Sequence, residues 1–117
     1  MSGAIHLDRH GEHVALIRID RPEARNALTP RMLCALADAF LAVRDDAEVR
    51  AVVLTGTGDV AFCAGGDLGL TLPLMTGARA PQDEFDRRLL DDPRTLEASS
   101  LRGFDIVKPT ICAINGT

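Results

Sequence analysis

The stretch AFCAGGDL, Ala61 to Leu68, sets a short apolar run directly against two adjacent glycines and an aspartate. Gly65 and Gly66 carry no Cβ, so the backbone there reaches positive φ and a bound group can approach its amide N–H groups unobstructed. If a helical turn begins at this point, the Asp67 carboxylate is favourable near its N-terminus. Free N–H groups at such an end can bind an anion or a developing oxyanion. The competing reading is a tight turn with Asp67 as its cap and no ligand. The motif alone leaves both open.

Other residue patterns point to less. GTGDVA, Gly56 to Ala61, fits a dinucleotide-binding fingerprint in letters only. That fingerprint opens a helix and needs an acidic residue about 20 positions on, whereas VAFCA reads as strand and the downstream region is MTGARA. A plain turn is the expectation, and no glycine-rich loop leads into a Lys-Ser/Thr pair. His6, His10 and His13 cluster around the first turn and read as surface residues rather than metal ligands. Cys34, Cys63 and Cys112 are odd in number, lie in apolar runs and show no CxxC spacing. They read as buried, reduced thiols of a cytoplasmic protein.

The elements that must position these residues follow from periodicity and punctuation. AIHLDR (Ala4 to Arg9) and VALIRID (Val14 to Asp20) alternate around Gly11 and predict a β-hairpin. Pro22 ends the second strand. Thr29-Pro30 predicts a helix start, and Leu33, Leu36, Ala37, Phe40 and Leu41 recur at helical spacing to about Arg44. RAVVLT (Arg50 to Thr55) predicts a buried strand, and AFCA (Ala61 to Ala64) a second short one. Gly69 to Ala80 reads as loop. Gln82 to Asp91 and Arg94 to Val107 predict helices separated by Pro93, and TICAI (Thr110 to Ile114) a buried strand before Asn115-Gly116. Strands alternating with helices predict an α/β domain with helices packed on a sheet.

Bulk properties narrow the partners. A chain of 117 residues is one domain or part of one. Its net charge of −4 and the lack of any like-charge block leave no basic surface for nucleic acid or an anionic membrane. No apolar run approaches the ~18 residues of a membrane span, and MSGAIHLDRH lacks the apolar stretch of a signal peptide. The last strand stops at a turn, so the sheet is expected to be unfinished and the chain to be the first part of a larger domain.

Three segments taken together resemble the crotonase (enoyl-CoA hydratase/isomerase) superfamily: IDRPEARNAL (Ile19 to Leu28), VRAVVLTGTGDVAFCAGGDL (Val49 to Leu68) and KPTICAINGT (Lys108 to Thr117). The resemblance implies that residues 1–117 form the N-terminal portion of a single crotonase-like domain, a spiral core of ββα units. It implies an acyl-CoA substrate, with coenzyme A belonging to that substrate and no separate cofactor or metal. The backbone N–H of Gly66 would be one of two amides that stabilise enolate-like charge on the thioester oxygen. One such donor is worth on the order of 3 kcal/mol in other enzymes. Ala64, Gly65, Gly66, Asp67 and Leu68 would line the substrate channel. Ala24 would lie near the adenine and pantetheine of the coenzyme, and Arg25 could approach its phosphates, a plain surface arginine being the alternative.

The resemblance puts the second oxyanion amide and the acid/base carboxylates after residue 117, and Glu84, Asp86 and Glu97 are expected to be solvated. The implied activity is hydration of 2-enoyl-CoA. Δ3,Δ2-enoyl-CoA isomerisation and acyl-CoA hydrolysis draw on the same oxyanion amide. A truncated, non-catalytic product or a partner-binding module is the reading from another class. The complete protein is expected to form a homo-oligomer, a trimer or hexamer.

Overall fold

The computed structural model describes residues 3–117. Strands β1 (Ala4–His10) and β2 (Val14–Asp20) form the antiparallel hairpin, with Ala4 opposite Asp20 and His10 opposite Val14. β2 alternates half-buried and fully buried positions, so Ala15, Ile17 and Ile19 all face the core. A 3₁₀ turn at Pro22–Ala24 leads toward helix α1 (Pro30–Asp45). Thr29 caps α1 by accepting the Met32 N–H at 3.2 Å, and Pro30 occupies the first helical position. That is the arrangement Thr-Pro predicts.

α1 returns the chain to β3 (Ala51–Gly56), which pairs parallel with β2. Three helices follow: α2 (Thr71–Thr76), α3 (Glu84–Asp91) and α4 (Pro93–Ser100). β4 (Thr110–Ala113) then pairs parallel with β3, completing a sheet of order β1-β2-β3-β4. α1 lies between sheet and helices: Phe40, Leu36 and Val43 meet Ala15, Ile17 and Val52, and Ile106 closes the cluster. Phe40 is 1% exposed, so its truncation to alanine is worth roughly 3–5 kcal/mol. Lys108 Nζ reaches back to the Val43 and Asp46 carbonyls, at 2.5 and 2.6 Å. A lysine ammonium there satisfies orphan carbonyls at the C-terminal end of α1 and complements its dipole. It also fixes where β4 begins.

Several sequence expectations give way. AFCA forms no strand; Ala61 to Gly65 is irregular, because its hydrogen bonds go to the Arg21–Leu28 segment rather than to a sheet neighbour. Gly69 to Ala80 is not all loop, since α2 forms within it and ends at Gly77 with φ +85°. α4 stops at Ser100 rather than Val107. Its last two serines turn their hydroxyls back onto the Leu96 carbonyl, and Leu101 adopts a left-handed cap at φ +54°. β4 lies at the edge of the sheet and is exposed rather than buried. Of the three thiols only Cys34 is buried; Cys63 is half-buried and Cys112 exposed. No helix of the described residues is long and apolar enough to cross a membrane.

Candidate active site

The AFCAGGDL segment and the RPEARNAL segment lie side by side. The Ala64 N–H donates to the Arg25 carbonyl at 3.0 Å, the Leu28 N–H to the Gly65 carbonyl at 2.8 Å, and the Asp67 N–H to the Leu28 carbonyl at 2.9 Å. Leu28 and Gly66 are thus a parallel bridge. In a parallel bridge the central residue's own amide points away from its neighbour. The Gly66 N–H accordingly donates to no acceptor among the described residues, although the amides of Ala64, Gly65 and Asp67 around it all do. Gly65 takes φ +94°, a conformation that only glycine adopts without strain, and thereby turns the chain so that Gly66 is presented.

A groove of about 400 Å³ runs along this seam. Its walls include Ala24, Arg25, Ala64, Gly66, Asp67 and Leu68, together with Glu23, Ala27 and Gly69. The structure therefore brings together all the residues singled out from sequence except Gly65, which shapes the backbone without lining the groove. Arg25 is exposed and itself left-handed, at φ +53°. Leu68 is 78% exposed, an apolar side chain held open to solvent at the groove's edge.

Asp67 caps a turn, as its position in the sequence suggests, but with a consequence that local reading misses. Its Oδ2 accepts the N–H groups of Gly69 and Leu70 at 3.0 and 2.7 Å, and its carbonyl accepts those of Thr71 and Leu72. The amides of Gly69, Leu70, Thr71 and Leu72 at the start of α2 are thus all taken by Asp67, and the helix presents no free end there. Asp67 Oδ1 receives Arg21 Nη1 at 2.7 Å, with both side chains mostly buried. The guanidinium, assisted by the Leu70 and Gly69 amides, holds the Asp67 carboxyl below the usual carboxylate range.

Arg21, Asn26 and Asn115 are the residues that sequence reasoning missed. Asn26 is fully buried at φ +58°, with its Oδ1 accepting the Arg21 N–H and its Nδ2 donating to the Thr57 and Ala61 carbonyls. Asn115, just past β4, accepts the Gly56 N–H and donates to the Gly58 and Ala61 carbonyls. Two carboxamides from distant segments thus converge on the Ala61 carbonyl and fix the approach to Gly66. Gly56 lies between them, and a Cβ there would collide with the Phe62 carbonyl and the Asn26 amide. The available signal is NG and RN flanking apolar runs, and asparagine in such places reads first as turn chemistry.

The helices carry a second buried ion pair. Arg79 binds Asp86 through two hydrogen bonds of 2.7 and 3.1 Å and also donates to the Leu70 carbonyl. Asp86 is 3% exposed, which overturns the expectation that it is solvated; Glu84 and Glu97 are exposed. α2 is therefore tied at its start both to Asp67 and, through Arg79, to α3.

The chain is similar in sequence and fold to known proteins. A family model described as enoyl-CoA hydratase/isomerase matches residues 9–117. The chain is 36% identical to the carnitinyl-CoA dehydratase of Salmonella enteritidis PT4, covering 99% of this chain and 40% of that protein. Among solved structures, a carnitinyl-CoA hydratase from Mycobacterium avium superposes with a TM-score of 0.72 at 36% identity, over 99% of this chain and 40% of that one. An enoyl-CoA hydratase from Bacillus anthracis does so with a TM-score of 0.70 at 29% identity, over 96% and 40%. The chain spans about two-fifths of the length of these relatives. With the family model matching nearly the whole chain and the fold shared with its solved members, the chain belongs to the enoyl-CoA hydratase/isomerase family.

Proposed function

We propose that the protein binds an acyl-CoA thioester along the Ala24–Gly66 groove and adds water across the double bond of a 2-enoyl-CoA. In that reaction the oxygen of water bonds to C3, a proton arrives at C2, and negative charge passes transiently onto the thioester oxygen. The observation that carries this reading is the Gly66 N–H, which has no acceptor among the described residues and sits in the wall of an open groove. A preorganised amide aimed at developing charge lowers the barrier without reorganising during the reaction. Arg25 and Ala24 at the same groove are assigned to the coenzyme end. Asp67 is committed to Arg21 and two amides, so proton transfer is not assigned to it. Assembly as a cytoplasmic trimer or hexamer belongs to the same reading.

The identity to a carnitinyl-CoA dehydratase favours a second substrate, carnitinyl-CoA, handled through the same enolate in the direction of water loss. Δ3,Δ2 isomerisation and thioester hydrolysis make the same demand on Gly66. The test is to express the complete reading frame and follow crotonyl-CoA hydration by loss of enone absorbance, with carnitinyl-CoA and a 3-enoyl-CoA in parallel. Turnover of crotonyl-CoA above the others supports the first reading. Preference for either competitor replaces it, and no turnover or binding of any thioester sinks the acyl-CoA assignment.

A further inference from the structure

Asp67 poses an electrostatic problem at the proposed site. Its carboxylate is built into the loop, holding the Gly69 and Leu70 amides, and it stands one residue from the Gly66 N–H. A negative charge there has the wrong sign for an amide that must receive developing negative charge. Arg21 answers it. The guanidinium lies against Asp67 Oδ1 at 2.7 Å, with side-chain exposures of 13% and 14% for the pair. Arginine cannot shed its proton in a protein, so this counter-charge is permanent. Its Nη1 also donates to the Ala27 carbonyl at 3.3 Å, whereas its buried Nε has no partner among the described residues. Arginine is therefore held here without completing its hydrogen bonds, which points to its charge as what the site uses. The other charges lining the groove, Glu23 and Arg25, are opposite in sign and exposed, where solvent screens them.

We propose that Arg21 is a positioning residue of the oxyanion site, acting through Asp67: it cancels the carboxylate beside Gly66 so that charge can develop on a thioester oxygen bound there. This rests on the acyl-CoA reading above. It predicts opposite electrostatic effects from the two partners, which a purely structural ion pair does not. Removing Arg21 exposes the site to an uncompensated carboxylate and disfavours an enolate. Removing the charge of Asp67 leaves an uncompensated guanidinium and favours one.

The experiment uses the protein from its complete reading frame and acetoacetyl-CoA, an acid whose enolate absorbs in the ultraviolet and resembles the charged intermediate. Its ionisation when bound is titrated in the wild type, in Arg21→Met, in Asp67→Asn and in the double variant. Asparagine keeps the shape of aspartate and an oxygen for the Gly69 and Leu70 amides. Bound ligand should ionise roughly tenfold less readily in Arg21→Met and roughly tenfold more readily in Asp67→Asn. The double variant should return to within about twofold of wild type, because neither charge remains. Should Arg21→Met fail to fold, Asp67→Asn and the double variant still decide the matter, since the second must reverse the first. Shifts of the same sign in both single variants, no shift in Asp67→Asn, or no reversal in the double variant would overturn the proposal. A wild-type protein that binds acetoacetyl-CoA without changing its ionisation would instead remove the oxyanion reading of Gly66, on which the role of Arg21 depends.

Discussion

Leu28 and Gly66 face one another as a single parallel bridge, with Leu28 taking the Gly65 carbonyl and the Asp67 amide and leaving the amide of Gly66 on the far side. One residue of the Arg21–Leu28 segment thereby uses up the hydrogen-bonding groups on either side of Gly66 and none of Gly66's own. The free amide is a product of pairing, not of disorder.

That geometry yields a paired prediction at Gly66. Proline there removes an N–H that no group of the described residues accepts, so no hydrogen bond among them is lost. Alanine keeps the N–H, and its Cβ would meet only the Thr71 side chain, 3.4 Å away. In the complete protein, Gly66→Pro should lower kcat by on the order of 10²–10³ with a much smaller change in KM, while Gly66→Ala should lose less than about tenfold. Steady-state kinetics with crotonyl-CoA, with circular dichroism confirming the fold, check this. Near-wild-type turnover in a folded proline variant would contradict the role given to this amide.

Asn26 should be among the costlier positions in the chain for stability. Asn26→Ala deletes the three hydrogen bonds its carboxamide makes, leaves the half-buried Arg21 N–H without that acceptor, and forces a β-carbon residue with no compensating side-chain bond to hold φ +58°. Ala61 alone keeps a partner, through Asn115. The loss should be about 2–4 kcal/mol, read as a lower urea midpoint at unchanged slope. A loss under about 1 kcal/mol would mean that the loop does not depend on this clamp.

Much of this molecule is written locally and some of it is not. The hairpin around Gly11, the helix opened by Thr29-Pro30 and the run at β3 follow from short-range pattern because alternation, capping and β-branching act within a few residues. Ala61 to Gly65 has the composition of a strand, yet its partners are Arg25, Asn26 and Leu28, some 35 to 40 positions earlier, and they pair with it without a ladder. Asp67 was legible as a cap from its place after two glycines, but Arg21 as its partner was not, since 46 residues separate them. Asp86 reads as solvent-exposed on a polar helix until Arg79 is seen folded over it. Pairings made by tertiary structure override composition in each case.

Cys34 should behave as a reporter of unfolding. It is 1% exposed, its thiol donates to the Phe85 carbonyl at 3.6 Å, and burial pushes its pKa upward. A protonated thiol without solvent access does not attack a disulfide reagent. In a variant carrying Cys34 alone, labelling under native conditions should be slower than in denaturant by at least about a hundredfold, and should speed up in parallel with loss of stability on adding urea. Rapid native labelling would place the α1–α3 contact among the easily opened parts of the chain.

The Arg79–Asp86 pair sets an acid limit. The guanidinium beside Asp86 is the main cause of a carboxyl pKa below its ordinary value near 3.8, with the Gln82 amide adding to it and burial opposing it. A carboxyl group lowered in the folded state binds fewer protons there than in the unfolded chain. Its stabilising contribution is complete above the ordinary value and disappears as pH falls through the lowered one. Urea midpoints should therefore be nearly level from about pH 7 to pH 5 and fall below about pH 4, with Asp20 and Asp67 contributing in the same direction. Asp86→Asn should lower stability at neutral pH, because it leaves the Arg79 guanidinium unpaired and largely buried, at 15% exposure. It should also flatten the acid decline, because one proton-binding difference is gone. If the variant declined as steeply as the wild type between about pH 4 and pH 2, Asp86 would not be among the groups whose protonation unfolds the protein.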